Sequence, residues 1–140
     1  MLMFTYGTLK TPERLRQDGA ILAIENAKVK GFKMYSNRGY FPITKRTGNE
    51  NDVIYGTLCI IPKHVVTGYY DRIEGYVPER NPKENMYNRE KVTVYIDDKT
   101  IEAEMYVANE EMFEDLYTDE NLVESGNWDD VRREWGYLWI

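Results

Sequence analysis

Three groups of residues in this 140-residue chain have the types and spacing that chemistry requires. The first is Tyr6-Gly7-Thr8-Leu9-Lys10, which closes the apolar run beginning at Leu2. A glycine directly after a strand lets the backbone turn sharply and aim successive N–H groups at one point, forming a nest for a carboxylate or phosphate. A plain strand-to-loop turn has the same pattern, so the signal alone is weak. The second group is Asp71-Arg72-Ile73-Glu74-Gly75. Glu74 falls at the C-terminal end of a helix, where the macrodipole disfavours negative charge and pushes a carboxyl's pKa upward. A neutral-pH proton carrier needs that setting, although most glutamates are simply solvated. Asp71, three residues earlier on roughly the same side, leaves a paired-carboxylate site open, ranked below a single working Glu74. The third group is Tyr87 and Arg89, followed by Tyr95 and Tyr106. Two apart on a strand, Tyr87 and Arg89 share a face. Arg89 suits a substrate carboxylate held bidentately, or an ion pair with Glu102 or Glu104 across a hairpin, which is the commoner use. Tyr106 either lines a pocket with its hydroxyl or packs in the core.

Scarcity narrows the chemistry. The chain holds one histidine, His64, one cysteine, Cys59, and two serines, Ser36 and Ser125, neither serine in a nucleophile-elbow context. One His and one Cys cannot supply the three or four ligands of a zinc site built from those residues, which nearly excludes such a site. Cys59 reads as a core residue inside a strand and His64 as a surface residue at a helix start, which leaves no thiolate–imidazole dyad. No phosphate-binding GxxxxGK[ST] loop occurs. Carboxylates, backbone groups and twelve tyrosines remain. A net charge of −6 argues against nucleic acid, whose phosphates require a basic face. No stretch approaches the ~20 apolar residues of a membrane helix. With a single cysteine and no cationic, apolar leader, the expected setting is cytoplasmic.

The elements that must position these groups are spread along the whole chain. Leu2 to Tyr6 reads as a strand, and Thr11-Pro12-Glu13 opens a short helix ending near Gly19. Ala27 to Tyr35 alternates as one strand, with Gly31 marking a bulge. Arg38-Gly39 is a turn, and Val53 to Ile61 is an almost continuously apolar strand buried on both faces. From His64 to Ile73, Val65, Val66, Tyr69, Tyr70 and Ile73 recur at helical spacing, and Gly75 stops the helix. Tyr87 to Ile96 and Ile101 to Val107 form a hairpin around Asp97-Asp98-Lys99. An acidic, helical extension follows from Asn109, with a last helix over Trp128 to Trp135 capped by Asn127. The apolar Tyr137 to Ile140 is expected to dock on the body. Strands without regular βαβ alternation predict an α+β fold, with a mixed sheet that can close into a barrel.

Taken in order, these segments resemble the gamma-glutamylcyclotransferase-like proteins, the group that includes the gamma-glutamylamine cyclotransferases. YGTLK stands at Tyr6 to Lys10, then come Gly31, Met34-Tyr35 and Gly39-Tyr40-Phe41-Pro42. Tyr55-Gly56-Thr57-Leu58, YDRIEG at Tyr70 to Gly75, Tyr87-Asn88-Arg89, and Ala103 to Tyr106 complete the set. The resemblance spans roughly residues 3 to 108. It implies a small mixed β-barrel with flanking helices and a pocket at one end. The core would cover about 1–108 and the helical acidic extension 109–140, in one domain. It also implies that Tyr6, Gly7, Thr8 and Leu9 bind a substrate α-carboxylate through backbone N–H groups, and that Glu74 is the general acid/base. Tyr106 is expected to line the same pocket. Tyr70 stands where many relatives have leucine, and the loop from Gly75 to Tyr87 is long and carries Pro78 and Pro82.

The activity implied is cyclisation of a γ-glutamyl amide or amine to 5-oxoproline with release of the amine. The substrate's own α-amine would be the nucleophile, so the resemblance implies that no serine or cysteine is required and that no metal or cofactor is needed. The partner is then a small γ-glutamyl molecule, with the protein a monomer or homodimer. A second reading is a binding protein on the same barrel, reaching a protein partner through its acidic extension with Trp128, Trp135 and Trp139.

Overall fold

A computed structural model of the chain describes residues 1–7 and 11–134, with backbone only for 132–134. Leu9 and Thr8, the end of the first loop, and Tyr137 to Ile140 lie outside the described residues, as do Trp135 and Trp139. Five strands close a barrel: β1 (Leu2–Thr5), β5 (Val53–Ile60), β2 (Leu22–Lys30), β6 (Tyr87–Ile96) and β7 (Lys99–Ala108), in that spatial order. Strand β5 sits between β1 and β2, antiparallel to both, with Leu2 and Leu22 flanking Ile60. Its apolar run VIYGTLCI suits this position, with six residues from Ile54 to Cys59 mostly buried. The barrel closes where β1 meets β7 in parallel at Met3 and Glu104. The sheet is therefore mixed, and the α+β barrel expected from the sequence is the fold.

The hairpin β6–β7 is in register from Tyr87 opposite Ala108 to Ile96 opposite Lys99. Its turn is the two residues Asp97-Asp98, with Asp97 at φ 53°, in the left-handed region that a tight hairpin demands. Lys99 belongs to the second strand.

Gly31 is a break rather than a bulge. At φ 87° it ends β2 and sends the chain into β3 (Phe32–Asn37), which leaves the barrel and pairs with β4 (Phe41–Arg46). The bulge lies earlier, between Ile24 and Ala27, with Asn26 at φ 60°. Alternation alone cannot distinguish one bulged strand from two strands joined at a left-handed glycine.

A second layer covers the barrel's outside. Helix α1 (Pro12–Gln17) buries Leu15. Then α2 (Lys63–Val65), a π turn (Val66–Tyr70) and α3 (Asp71–Ile73) run on as one continuous helix. A π turn inserts one residue into the helical repeat and rotates the face beyond it. Val66 and Tyr70 are buried, as the spacing predicts, whereas Tyr69 and Ile73 are exposed.

The extension after Asn109 is largely helical, with 3₁₀ segments at Glu110–Leu116 and Asp119–Asn121 and an α-helix, α4 (Trp128–Glu134). It also adds a short strand, β8 (Leu122–Val123), to the edge of β3. Trp128 is fully buried and packs with Val131 in the cluster that fills the barrel, beside Phe4, Ile54 and Met105. Asn127 Oδ1 accepts the N–H of Asp129, the capping role expected of it. No helix among the described residues is long and apolar enough to cross a membrane.

Candidate active site

Because β1 and β7 run parallel and β6 runs against β7, the ends of β1 and β7 and the start of β6 lie at one end of the barrel. The C-terminal end of the 63–73 helix and the start of β4 close over that end. Between them is a cavity of about 230 Å³. Its walls are Phe4 and Thr5 from β1 with Tyr6 and Gly7 just beyond it, Phe41 and Pro42 from β4, Ile73 and its C-cap Glu74 at the helix end, Tyr87 from β6 with Met86 just before it, and Tyr106 from β7. Tyr6, Gly7, Glu74 and Tyr106 are thus brought together, as the sequence predicts.

Gly7 packs so close to Pro42 that a Cβ there would sit 3.2 Å from the proline ring. Away from the cavity, β5 approaches β1 closely: a Cβ on Gly56 would press on the Thr5 carbonyl oxygen. These small residues keep the strand under the cavity flat against its neighbours.

Helix geometry sets the position of Glu74. Its N–H donates to Tyr70 O at 2.9 Å, and Gly75, at φ 65°, turns the chain away immediately afterwards. Burial in the cavity wall lifts the Glu74 carboxyl from an ordinary 4.5 to about 7. The cause is desolvation, not the helix macrodipole inferred from the sequence. Among the described residues no side chain forms an ion pair or hydrogen bond with this carboxyl.

Asp71, one turn earlier, has the opposite surroundings. It is buried and accepts hydrogen bonds from Arg89 Nε at 3.0 Å, Arg89 Nη2 at 3.2 Å and Tyr106 Oη at 2.6 Å. Arg89 Nη1 donates to Glu104 at 2.7 Å as well. Arg89 therefore takes the cross-hairpin pair that sequence favoured and adds Asp71, which leaves its guanidinium occupied. Among the described residues no hydrogen bond joins Asp71 to Glu74, and the donors around Asp71 are Arg89 and Tyr106. Tyr95 lies at the far end of the hairpin, its ring under Lys30 at 4.2 Å, away from the cavity.

Three tyrosines complete the wall. Tyr6 Oη donates to Tyr106 O at 2.5 Å, Tyr87 Oη donates to Pro42 O at 2.7 Å, and Tyr106 Oη donates to Asp71. Burial first, and the Glu74 charge after it, raise the Tyr6 hydroxyl far above its usual range; burial is also the first cause for Tyr87 and Tyr106. All three stay protonated across physiological pH. The sequence reading missed Phe4, Thr5, Ile73 and Met86 as lining residues, and none carries a signal that would have marked it. Phe41 and Pro42 did stand in the quoted motif order. Asn85 was also missed: buried in the long loop, its Oδ1 accepts from Val77 N and Arg80 Nε and so shapes the rim.

The fold and the site define a small closed barrel with an end pocket lined by one half-buried carboxyl that has no side-chain partner among the described residues. The chain matches the family described as Gamma-glutamyl cyclotransferase, AIG2-like over residues 3–130, and it belongs to that family. Membership points to chemistry of the cyclotransferase kind. Among solved structures, the protein c4763, specific to uropathogenic E. coli, is similar at 15% identity and TM-score 0.66, covering 96% of this chain and 94% of that one. YkqA from Bacillus subtilis is similar at 21% identity and TM-score 0.63, over 94% of this chain, which spans only 40% of YkqA's length. An AIG2-like protein from Mus musculus is similar at 17% identity and TM-score 0.57, over 85% of this chain and 80% of that one. These likenesses establish the fold. No curated protein matches the chain by sequence.

Proposed function

We propose that the protein cyclises a γ-glutamyl amide or amine to 5-oxoproline and releases the amine, with Glu74 as general base and then general acid. The observation that carries this reading is the Glu74 carboxyl, the one carboxyl among the described residues that line the end pocket, lifted by burial to about 7. A group so poised takes a proton and returns it near neutral pH. The cavity, about 230 Å³, is smaller than the ~300–1,000 Å³ of pockets for drug-sized ligands, which suits a single amino-acid unit.

In this reading the α-ammonium of the γ-glutamyl group gives a proton to Glu74, and the freed amine attacks the γ-carbonyl carbon. The ring N–C bond forms and the bond to the leaving nitrogen breaks. Glu74 returns the proton to the departing nitrogen. Ring closure removes two protons from the α-nitrogen, and the departing amine ends as an ammonium carrying two more than the amide held. Protons and charge therefore balance without a cofactor. Intramolecular attack in a held geometry reaches effective molarities of about 10⁵–10⁸ M, so folding the substrate is much of the catalysis. Proton transfer adds roughly 10²–10⁴-fold. Tyr6 and Gly7 supply the start of the loop proposed to bind the α-carboxylate.

The test is 5-oxoproline release from a panel of γ-glutamyl amino acids and amines, comparing the wild type with Glu74→Gln. Release that falls by 10²-fold or more in a folded variant supports the assignment. Equal release by both proteins overturns it.

A further inference from the structure

The polar atoms of the pocket wall have a direction that the family likeness does not supply. A tyrosine hydroxyl has one proton and two lone pairs, and a carboxylate or carbonyl oxygen can only accept. Tyr106 must therefore give its one proton to Asp71, which Arg89 holds in place by two hydrogen bonds. Tyr87 must give its proton to the Pro42 carbonyl. Tyr6 gives its proton to Tyr106 O, across to the neighbouring strand. Neither Tyr106 nor Tyr87 receives a hydrogen bond at its hydroxyl from any described residue, and both residues line the cavity.

We infer that the Tyr106 and Tyr87 oxygens face the pocket as acceptors for the substrate's α-ammonium group, with Asp71 and Arg89 as positioning residues that fix this polarity. The inference rests on reading the pocket as a γ-glutamyl site. Two acceptors beside Glu74 would hold the ammonium with its protons directed at oxygen, one of them at the carboxyl that removes it. A substrate lacking the α-amine then loses hydrogen bonds to a charged group, not only its nucleophile.

Binding separates the two. Methionine sulfone keeps the α-ammonium and α-carboxylate but carries a sulfonyl in place of the γ-carbonyl, so it cannot cyclise. The partner compound 4-(methylsulfonyl)butanoate lacks only the ammonium. Calorimetric titration at about pH 5.5, below the ionisation of Glu74, keeps that charge out of the comparison. The wild type is expected to bind the amino compound roughly tenfold or more tightly. Tyr106→Phe and Tyr87→Phe are each expected to shrink that ratio while leaving binding of the butanoate unchanged. Tyr87→Phe breaks no contact with a buried charge, so it decides the matter should Tyr106→Phe fail to fold. Equal binding of both compounds by the wild type overturns the inference, as does a ratio unmoved in the folded variants. If 5-oxoproline release is nevertheless seen, the proposed function stands without it; neither release nor binding of either compound overturns both.

Discussion

Replacing Glu74 by glutamine should make the protein more stable, and only above a defined pH. In the folded chain burial lifts the carboxyl from 4.5 to about 7, with no partner among the described residues to offset the desolvation. The folded state therefore holds its proton more tightly than the unfolded state. Between about 4.5 and 7 the unfolded chain has lost a proton that the folded chain keeps, so stability falls as pH rises through that window and levels off above it. At 1.36 kcal/mol per pKa unit the full loss is about 3 kcal/mol. Glutamine matches the shape of the protonated acid but cannot ionise, so it escapes this loss. Thermal unfolding followed by circular dichroism at several pH values reads the difference. The two proteins should melt together near pH 4.5 and diverge to a plateau above about pH 7.5, the variant higher by roughly 6–12 °C for a chain of this size. Other carboxylates titrate equally in both and cancel. A gap that is constant across the range, or a variant less stable at high pH, would refute burial as the source of the raised pKa.

Under the proposed function, turnover should show the same group from the other side: kcat/KM for 5-oxoproline release should rise with pH through about 7, since the proposed role uses the base form of Glu74, and a flat profile from pH 5.5 to 8 would remove Glu74 from that role. Arg89→Leu strands Asp71 as a buried, uncompensated charge and should cost about 3–5 kcal/mol in denaturant unfolding. Arg89→Lys should recover only part, because an ammonium cannot hold Asp71 through two parallel bonds. Trp128→Ala should cost about 3–5 kcal/mol, and truncation after Val107 should abolish cooperative unfolding, since Trp128 and Val131 help to fill the barrel. A truncated chain that melts cooperatively near the wild-type midpoint would mark the extension as an appendage. Gly56→Ala should destabilise by about 1–3 kcal/mol, because its methyl would press on the Thr5 carbonyl and the Phe4 ring.

What the sequence made legible were the features written in neighbouring residues. An apolar run with no polar alternation marked β5 as a strand buried on both faces. The Asp97-Asp98 turn between two alternating segments marked the β6–β7 hairpin, and a helical repeat ending at Gly75 placed Glu74 at a helix end. Features set by distant residues were not legible. Asp71 is 18 residues from Arg89 and 35 from Tyr106, so its role as their common acceptor had no local sign. The desolvation of Glu74 comes from walls contributed by β1, β4, β6 and β7, and local reasoning supplied the macrodipole in its place. The π turn that exposes Tyr69 and Ile73 follows a sequence whose apolar spacing is also that of a plain α-helix. Strand β8, at two residues, is too short for any periodicity.

The two carboxylates at this helix end are treated in opposite ways by the same fold. Asp71 has three donor atoms within 3.2 Å and forms part of the lattice joining helix, β6 and β7. Glu74, one turn on, has none among the described residues and faces the cavity. Environments that separate two such groups assign their roles: the satisfied one holds geometry, and the unsatisfied one is free to exchange a proton. The separation depends on Arg89, since without it Asp71 would be a second desolvated acid beside the first. It depends equally on Tyr106, whose bond to Asp71 ties the pocket wall to the helix that carries Glu74. The proposed reaction, with its nucleophile supplied by the substrate, would ask the protein for little beyond this: a rigid wall to fold the substrate against, and one carboxyl lifted toward neutrality by burial.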